Sequence, residues 1–112
     1  MQYDLEDRTK KFSTQVIAFA KDLQKNNINK NMIDQLLRSA TSVGANYREA
    51  NGASSKKDFK NKISLCRKEA QETEYWLELL AESNPKKKEE IKRLWSEPHE
   101  LTLIFNKIWS SL

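Results

Sequence analysis

Apolar side chains recur along the chain at steps of three and four in four separate stretches, the spacing that places them on one face of an α-helix. The first stretch carries Leu5, Phe12, Val16, Phe19 and Leu23, and Asp4 stands before it as an N-cap with Glu6 and Asp7 in the first turn. The segment Gln24–Asn29 breaks the pattern and reads as a loop. A second helix is predicted from about Asn31 to Ala50, with Ile33, Leu36, Leu37, Ala40, Val43 and Tyr47 on its apolar face. Its centre, Ser39 to Asn46, holds no large side chain, so it is a poor helix in isolation. A close helix crossing or a subunit contact would offset that weakness.

Asn51-Gly52-Ala53 punctuates the chain, and Gly52 is predicted to end the second helix in the left-handed conformation. Ser54 or Ser55 then caps a third helix, with Asp58 in its first turn. Phe59, Ile63, Cys66, Ala70, Thr73, Leu77 and Leu80 form its seam, and Leu65, Trp76 and Leu79 widen it. Asn84-Pro85 ends this helix, because the residue before a proline is pushed out of the α region. A fourth helix resumes near Lys86 with Ile91, Leu94, Pro98, Leu101, Phe105, Ile108 and Leu112 in line. Pro98 either kinks that helix or follows a new cap at Ser96, and the unbroken register favours one kinked helix. Three short connections between helices of similar length predict an all-α, up-and-down antiparallel four-helix bundle, one domain over residues 1–112.

Composition narrows the class further. Only two Gly and two Pro in 112 residues leave little material for hairpin turns, which argues against an all-β fold. Charged residues make up 32%, yet the apolar periodicity keeps the chain out of the disordered regime. One cysteine, Cys66, has no intrachain partner. The opening residues do not read as a signal peptide and no apolar run approaches a membrane span, so the expected location is cytoplasmic.

Catalytic chemistry is not evident. The single histidine, His99, lacks the Glu three positions earlier that di-iron bundles use, and no phosphate loop or Ser/His/Asp set can be assembled. Cys66 falls on an apolar seam, where a free cysteine behaves as a small hydrophobe. The expectation is no enzyme, no metal, no cofactor and no small-molecule substrate.

Charge supplies the functional candidates. The net charge is +4, and the third helix is asymmetric: Lys56, Lys57, Lys60, Lys62, Arg67 and Lys68 against Asp58 alone, followed by five acids from Glu69 to Glu82 with no base. This order opposes the helix macrodipole. It reads either as a solvated face with offsetting cross-helix pairs or as a partner surface. In an antiparallel bundle Arg48 and Lys56–Lys62 share one end, while Lys21, Lys25, Lys30 and Lys86, Lys87 and Lys88 share the other. Such lysines would contact phosphate without reading sequence. No aromatic-plus-basic motif for base stacking is evident, and Trp76, Trp95 and Trp109 read first as packing residues. Two polar rows remain open between solvent exposure and a buried network: Gln35, Arg38, Ser42, Asn46 and Glu49, and Asp58, Lys62, Glu69 and Glu72.

The segment from Gln35 to Ala50, QLLRSATSVGANYREA, resembles the signature of the bacterial four-helix bundle proteins encoded in 23S rRNA intervening sequences. Ser55 to Phe59, Glu69 to Leu80 and the opening Asp4-Leu5, Arg8-Thr9 and Phe12 are similar to the same family, and only Pro98 departs from its pattern. The resemblance implies a bundle that assembles as a ring-like homopentamer and carries no catalytic residues. It is also similar to accessory proteins of diversity-generating retroelements, which hold a reverse transcriptase and RNA on a basic pentameric surface. It further implies that Arg38, Asn46, Glu49, Asp58, Glu69 and Glu72 form a polar set for structure or assembly. Two functions follow: a non-enzymatic oligomer that binds RNA or a nucleoprotein through its basic rims, or a purely structural or protein-interaction module.

Overall fold

Each helix begins where a short polar side chain accepts the first free backbone N–H groups. In the computed structural model, which describes residues 4–112, α1 spans Leu5–Asp22 and is capped by Asp4, whose carboxylate accepts the Asp7 N–H at 3.1 Å. That bond holds the Asp4 carboxyl below its ordinary range. α2 spans Asn27–Asn51, α3 Lys56–Ser83 and α4 Lys88–Ser110, with a 3₁₀ turn at Pro85–Lys87 before α4. Ser55 caps α3 by accepting the Asp58 N–H at 3.0 Å, and Asp58 in return accepts the Ser54 N–H at 3.4 Å.

Three local expectations need correction. α2 starts a full turn before Asn31, because Asn26 caps it and accepts the N–H groups of Ile28 and Asn29 at 3.1 and 2.8 Å. Gly52 is not left-handed: its φ of −98° and ψ of 13° continue the turn, and its N–H bonds the carbonyls of Arg48 and Glu49. Any residue adopts that geometry, so the glycine is not conformationally required there. α4 begins at Lys88, since Pro85–Lys87 close a tighter turn first.

Consecutive helices run antiparallel, as their cross-links show in order. Glu6 of α1 accepts from Asn51 of α2, Lys62 of α3 meets Glu49 of α2, and Arg67 of α3 meets Asn106 of α4. α1 closes the bundle against α4 through Arg8, which bonds Glu97 at 2.8 and 2.9 Å and Glu100 at 3.0 Å. Glu97 chiefly holds Arg8 in its charged form.

The predicted stripes are the core. Phe12, Val16, Leu36, Ile33, Leu77, Leu80 and Ile91 fill one half of the bundle, and Leu5, Val43, Ile63, Cys66, Leu101 and Phe105 the other. Full burial of each large side chain stabilises the fold by about 1.5–3 kcal/mol. Phe59, Leu94, Ile108 and Leu112 at the stripe ends are only partly covered. Pro98 is buried inside a helix that runs unbroken through it, which settles against a second cap at Ser96. The Thr102 hydroxyl donates to the Pro98 carbonyl at 2.8 Å.

The run of small residues in α2 is where its neighbours come close. A Cβ on Gly44 would lie 3.1 Å from Thr9 Oγ1, so this glycine permits the crossing of α1. The Ser13 hydroxyl reaches the Ala40 carbonyl at 3.4 Å, and on the other side Thr73 donates to Ser39 Oγ at 3.0 Å. Packing contacts of this kind offset the weak helix propensity of the segment.

Candidate nucleic-acid interface

At the end of the bundle where α3 begins and α4 finishes, heptad spacing puts Lys60 and Arg67 on the side of α3 that faces α4. Trp109, in the last turn of α4, lies between them. Lys60 Nζ sits 4.2 Å from the indole centroid and Arg67 Cζ 5.2 Å. Arg67 is fixed from behind, donating to Asn106 Oδ1 at 3.1 Å and Ser64 Oγ at 3.4 Å. The ring is half-buried and packs against the core half that contains Leu5, Val43, Ile63 and Leu101. Each cation over the ring contributes about 0.5–1 kcal/mol at an exposed site. Lys56 and Lys57 stand exposed one turn before Lys60. Among the described residues none of Lys56, Lys57, Lys60 or Arg67 has a carboxylate within ion-pair distance, and the nearby Asp58 is occupied as a cap. No sequence motif marks this aromatic-plus-basic arrangement, because Trp109 is more than forty positions from its cations.

The other basic residues proposed from the sequence divide. Lys62 is bound to Glu49 at 2.8 Å, a bond that raises its pKa. Arg48 approaches Glu6 at 3.7 Å. At the opposite end Lys86 and Lys88 are exposed and unpaired among the described residues, whereas Lys87 holds Asp22 at 3.1 Å, again with a raised pKa. Trp95 Nε1 donates to Glu78 at 2.9 Å, so that acid is already engaged beside this rim. The two ends therefore differ: the α3–α4 end sets Lys60 and Arg67 over an indole, whereas at the other end Lys88 and Lys92 border a recess beside Trp95.

The model of the 23S rRNA-intervening sequence protein family matches residues 2–107. The chain belongs to this family. A crystal structure of a protein of unknown function from the S23 ribosomal protein family of Bacteroides thetaiotaomicron VPI-5482 is similar to it at 34% identity and a TM-score of 0.83, covering 93% of this chain and 96% of that one. No curated protein gives a significant match.

Within this family member, the polar set implied by the resemblance lies along the α2–α3 seam. Arg38 donates to both oxygens of Glu69 at 3.2 Å and also pairs with Glu72, and Lys62 bonds Glu49. Trp76 Nε1 adds a contact to Glu72 at 3.3 Å. The two rows thus face one another in a half-exposed ion cluster, intermediate between the alternatives the sequence left open. Asn46 and Asp58 are not part of it: Asn46 bonds the Ser42 carbonyl of its own helix, and Asp58 accepts the Ser54 N–H just before α3. The basic-then-acidic order of α3 is explained in part by these pairs, since Arg38 and Lys62 match charges across the seam despite the opposing macrodipole.

The single thiol is committed to packing, and the single imidazole is half-exposed against its neighbours. Cys66 is fully buried, and burial pushes its pKa up to about 12, which suppresses the thiolate. His99 stacks on Trp95 with centroids 4.5 Å apart and lies 3.2 Å from Glu74, whose other oxygen accepts from Thr102. Among the described residues, no three His, Cys, Asp or Glu side chains gather as a metal site, and no helix is long and apolar enough to cross a membrane.

Proposed function

We propose that this chain is a non-enzymatic, cytoplasmic binding protein that engages RNA or an RNA-containing complex, and that it does so as a homo-oligomer. The observation that carries the reading is the cluster at the α3–α4 end. Lys60 and Arg67 flank the indole of Trp109, Lys56 and Lys57 lie beside them, and no carboxylate neutralises any of the four. Ammonium and guanidinium groups left unpaired are available for phosphate, which they contact without reading base identity. Assembly draws support from apolar side chains left in solvent, with Leu65 40%, Tyr75 54% and Leu103 57% exposed. Repetition of a weak basic surface around an oligomer would raise its avidity.

The test is a fluorescence-anisotropy titration of a labelled RNA hairpin against the chain and against the triple variant Lys56→Glu, Lys57→Glu, Lys60→Glu. These side chains are outside the core, so circular dichroism should be unchanged. The expected loss is about 100-fold in affinity, a little under 1 kcal/mol per reversed charge. Unchanged affinity in a folded variant removes the site. Light scattering on a sizing column tests assembly independently, and a monomer at working concentration would overturn that half of the proposal.

A further inference from the structure

A second feature lies at the opposite end, where α1 finishes and α2 begins. Between them is an open recess of about 440 Å³. Its floor is aliphatic: Ala20 and Ile33 from the core, with Ile17 and Leu37 partly uncovered beside them. Ile17 remains 40% exposed on the flank of α1. Three lysines, Lys21, Lys25 and Lys30, stand around the rim against one acid, Asp34. None of the three lysines has an ion-pair partner among the described residues, in contrast to Lys87 nearby, which holds Asp22. An aliphatic floor with a few convergent charges at its edge, in a volume within the roughly 300–1,000 Å³ of small-molecule sites, is the composition of a binding pocket for an amphipathic ligand.

We propose that this recess binds a free small amphipathic anion, with an aliphatic body on Ile17, Ala20, Ile33 and Leu37 and a carboxylate or phosphate head among Lys21, Lys25 and Lys30. Charge complementarity selects the sign of the head: three ammonium groups face it and one carboxylate opposes it. The open cleft between two helices selects a single chain over a flat surface, because Ile17 and Leu37 lie between the helix flanks rather than on a projecting ridge. The opposite account is that the lysine stems merely fold over the aliphatic floor and keep their heads in water. The two accounts differ in one respect: only a site discriminates between ligands with the same tail and opposite heads.

Decanoate and decyltrimethylammonium, each below its micelle concentration, are therefore titrated into ¹⁵N-labelled protein. Decanoate is expected to give saturable amide shifts confined to the neighbourhood of Ile17, Lys21, Ile33 and Leu37, with the cation at least roughly tenfold weaker. The triple variant Lys21→Glu, Lys25→Glu, Lys30→Glu should weaken decanoate by at least a comparable factor and reverse the preference in favour of the cation. Ile17→Asn, outside the core clusters and checked for an unchanged fold by circular dichroism, should weaken both tails. Equal binding of the two amphiphiles, shifts spread over other surfaces, or no saturable shift overturns the proposal. Flotation with phosphatidylglycerol vesicles supplies the remaining arm: binding that needs the lysines but survives Ile17→Asn would reassign the patch to a membrane surface and also overturn it.

Discussion

Asn29→Asp sets two rules of helix chemistry against each other. Asn29 is the third residue of α2, where a negative charge ordinarily stabilises a helix by about 0.3–1 kcal/mol. Here the side chain is 1% exposed and turned inward. Its Nδ2 donates to the Gln24 carbonyl at 2.8 Å and to Asn84 Oδ1 at 3.0 Å, while its Oδ1 accepts from Asn84 Nδ2 at 3.0 Å. Asn84 also donates to the Leu80 carbonyl at 2.9 Å, so backbone carbonyls fix the orientation of both amides. This reciprocal pair ties the α1–α2 connection to the C-terminus of α3. A carboxylate of nearly the same shape would put an oxygen where two acceptors expect a donor. Two hydrogen bonds at about 1 kcal/mol each are lost, and two partly buried oxygens are left facing another oxygen, at about 1–3 kcal/mol more in total. The cost near pH 7 is thus about 3–5 kcal/mol, which exceeds the helix-end gain several-fold. Burial and the facing oxygens raise the pKa of the new carboxyl in the folded state. Below the unfolded value of about 4 the neutral acid can donate one bond, so the defect shrinks to about 1–2 kcal/mol there and grows as pH rises. Urea unfolding followed at 222 nm near pH 4 and pH 7, each against the parent chain, measures both. A loss under about 1 kcal/mol at pH 7, or one that does not increase with pH, would refute the reasoning.

Two further outcomes follow from the caps and the core. Ser55→Ala removes the acceptor for the Asp58 N–H and should lower stability by about 1 kcal/mol in the same urea assay, with Ser55→Gly nearly neutral. The Cys66 thiol should not react with Ellman's reagent in the folded chain and should react at once in concentrated urea. Because its folded pKa is raised to about 12 from an ordinary value of 9.0, the stability it contributes is complete below pH 9 and is lost as pH rises through 12. Between about pH 8 and pH 10.5 the parent should therefore lose about 2 kcal/mol more stability than Cys66→Ala.

The four helices were legible because apolar spacing is a property of the chain itself. Phe12, Leu36, Ile63 and Leu101 lie where steps of three and four put them. The caps at Asp4 and Ser55 were also readable, each being a short acceptor directly before a periodic run. What depended on the partner helix was not readable. Asn29 reads as loop in the sequence because the partner that buries it, Asn84, is 55 positions further along the chain. Gly52 suggested a left-handed end, but the bonds of its N–H to Arg48 and Glu49 keep the turn right-handed. The polar rows of α2 and α3 were identified as rows, yet only the crossing of those helices decides that Arg38 clasps Glu69 and Glu72 while Asn46 and Asp58 bond locally. Trp109 was counted as a packing residue. Its pairing with Lys60 and Arg67 needs the antiparallel docking of α3 on α4, after which the spacing of seven between those two cations becomes meaningful.

Binding of RNA by the unpaired cations at the α3–α4 end is the claim on which the functional account depends, and the salt dependence of that binding tests it most directly. With Lys56, Lys57, Lys60 and Arg67 each neutralising a phosphate, affinity plotted logarithmically against monovalent salt should fall with a slope of about −3 per chain. A slope near zero, or no association with RNA at low salt, would contradict it.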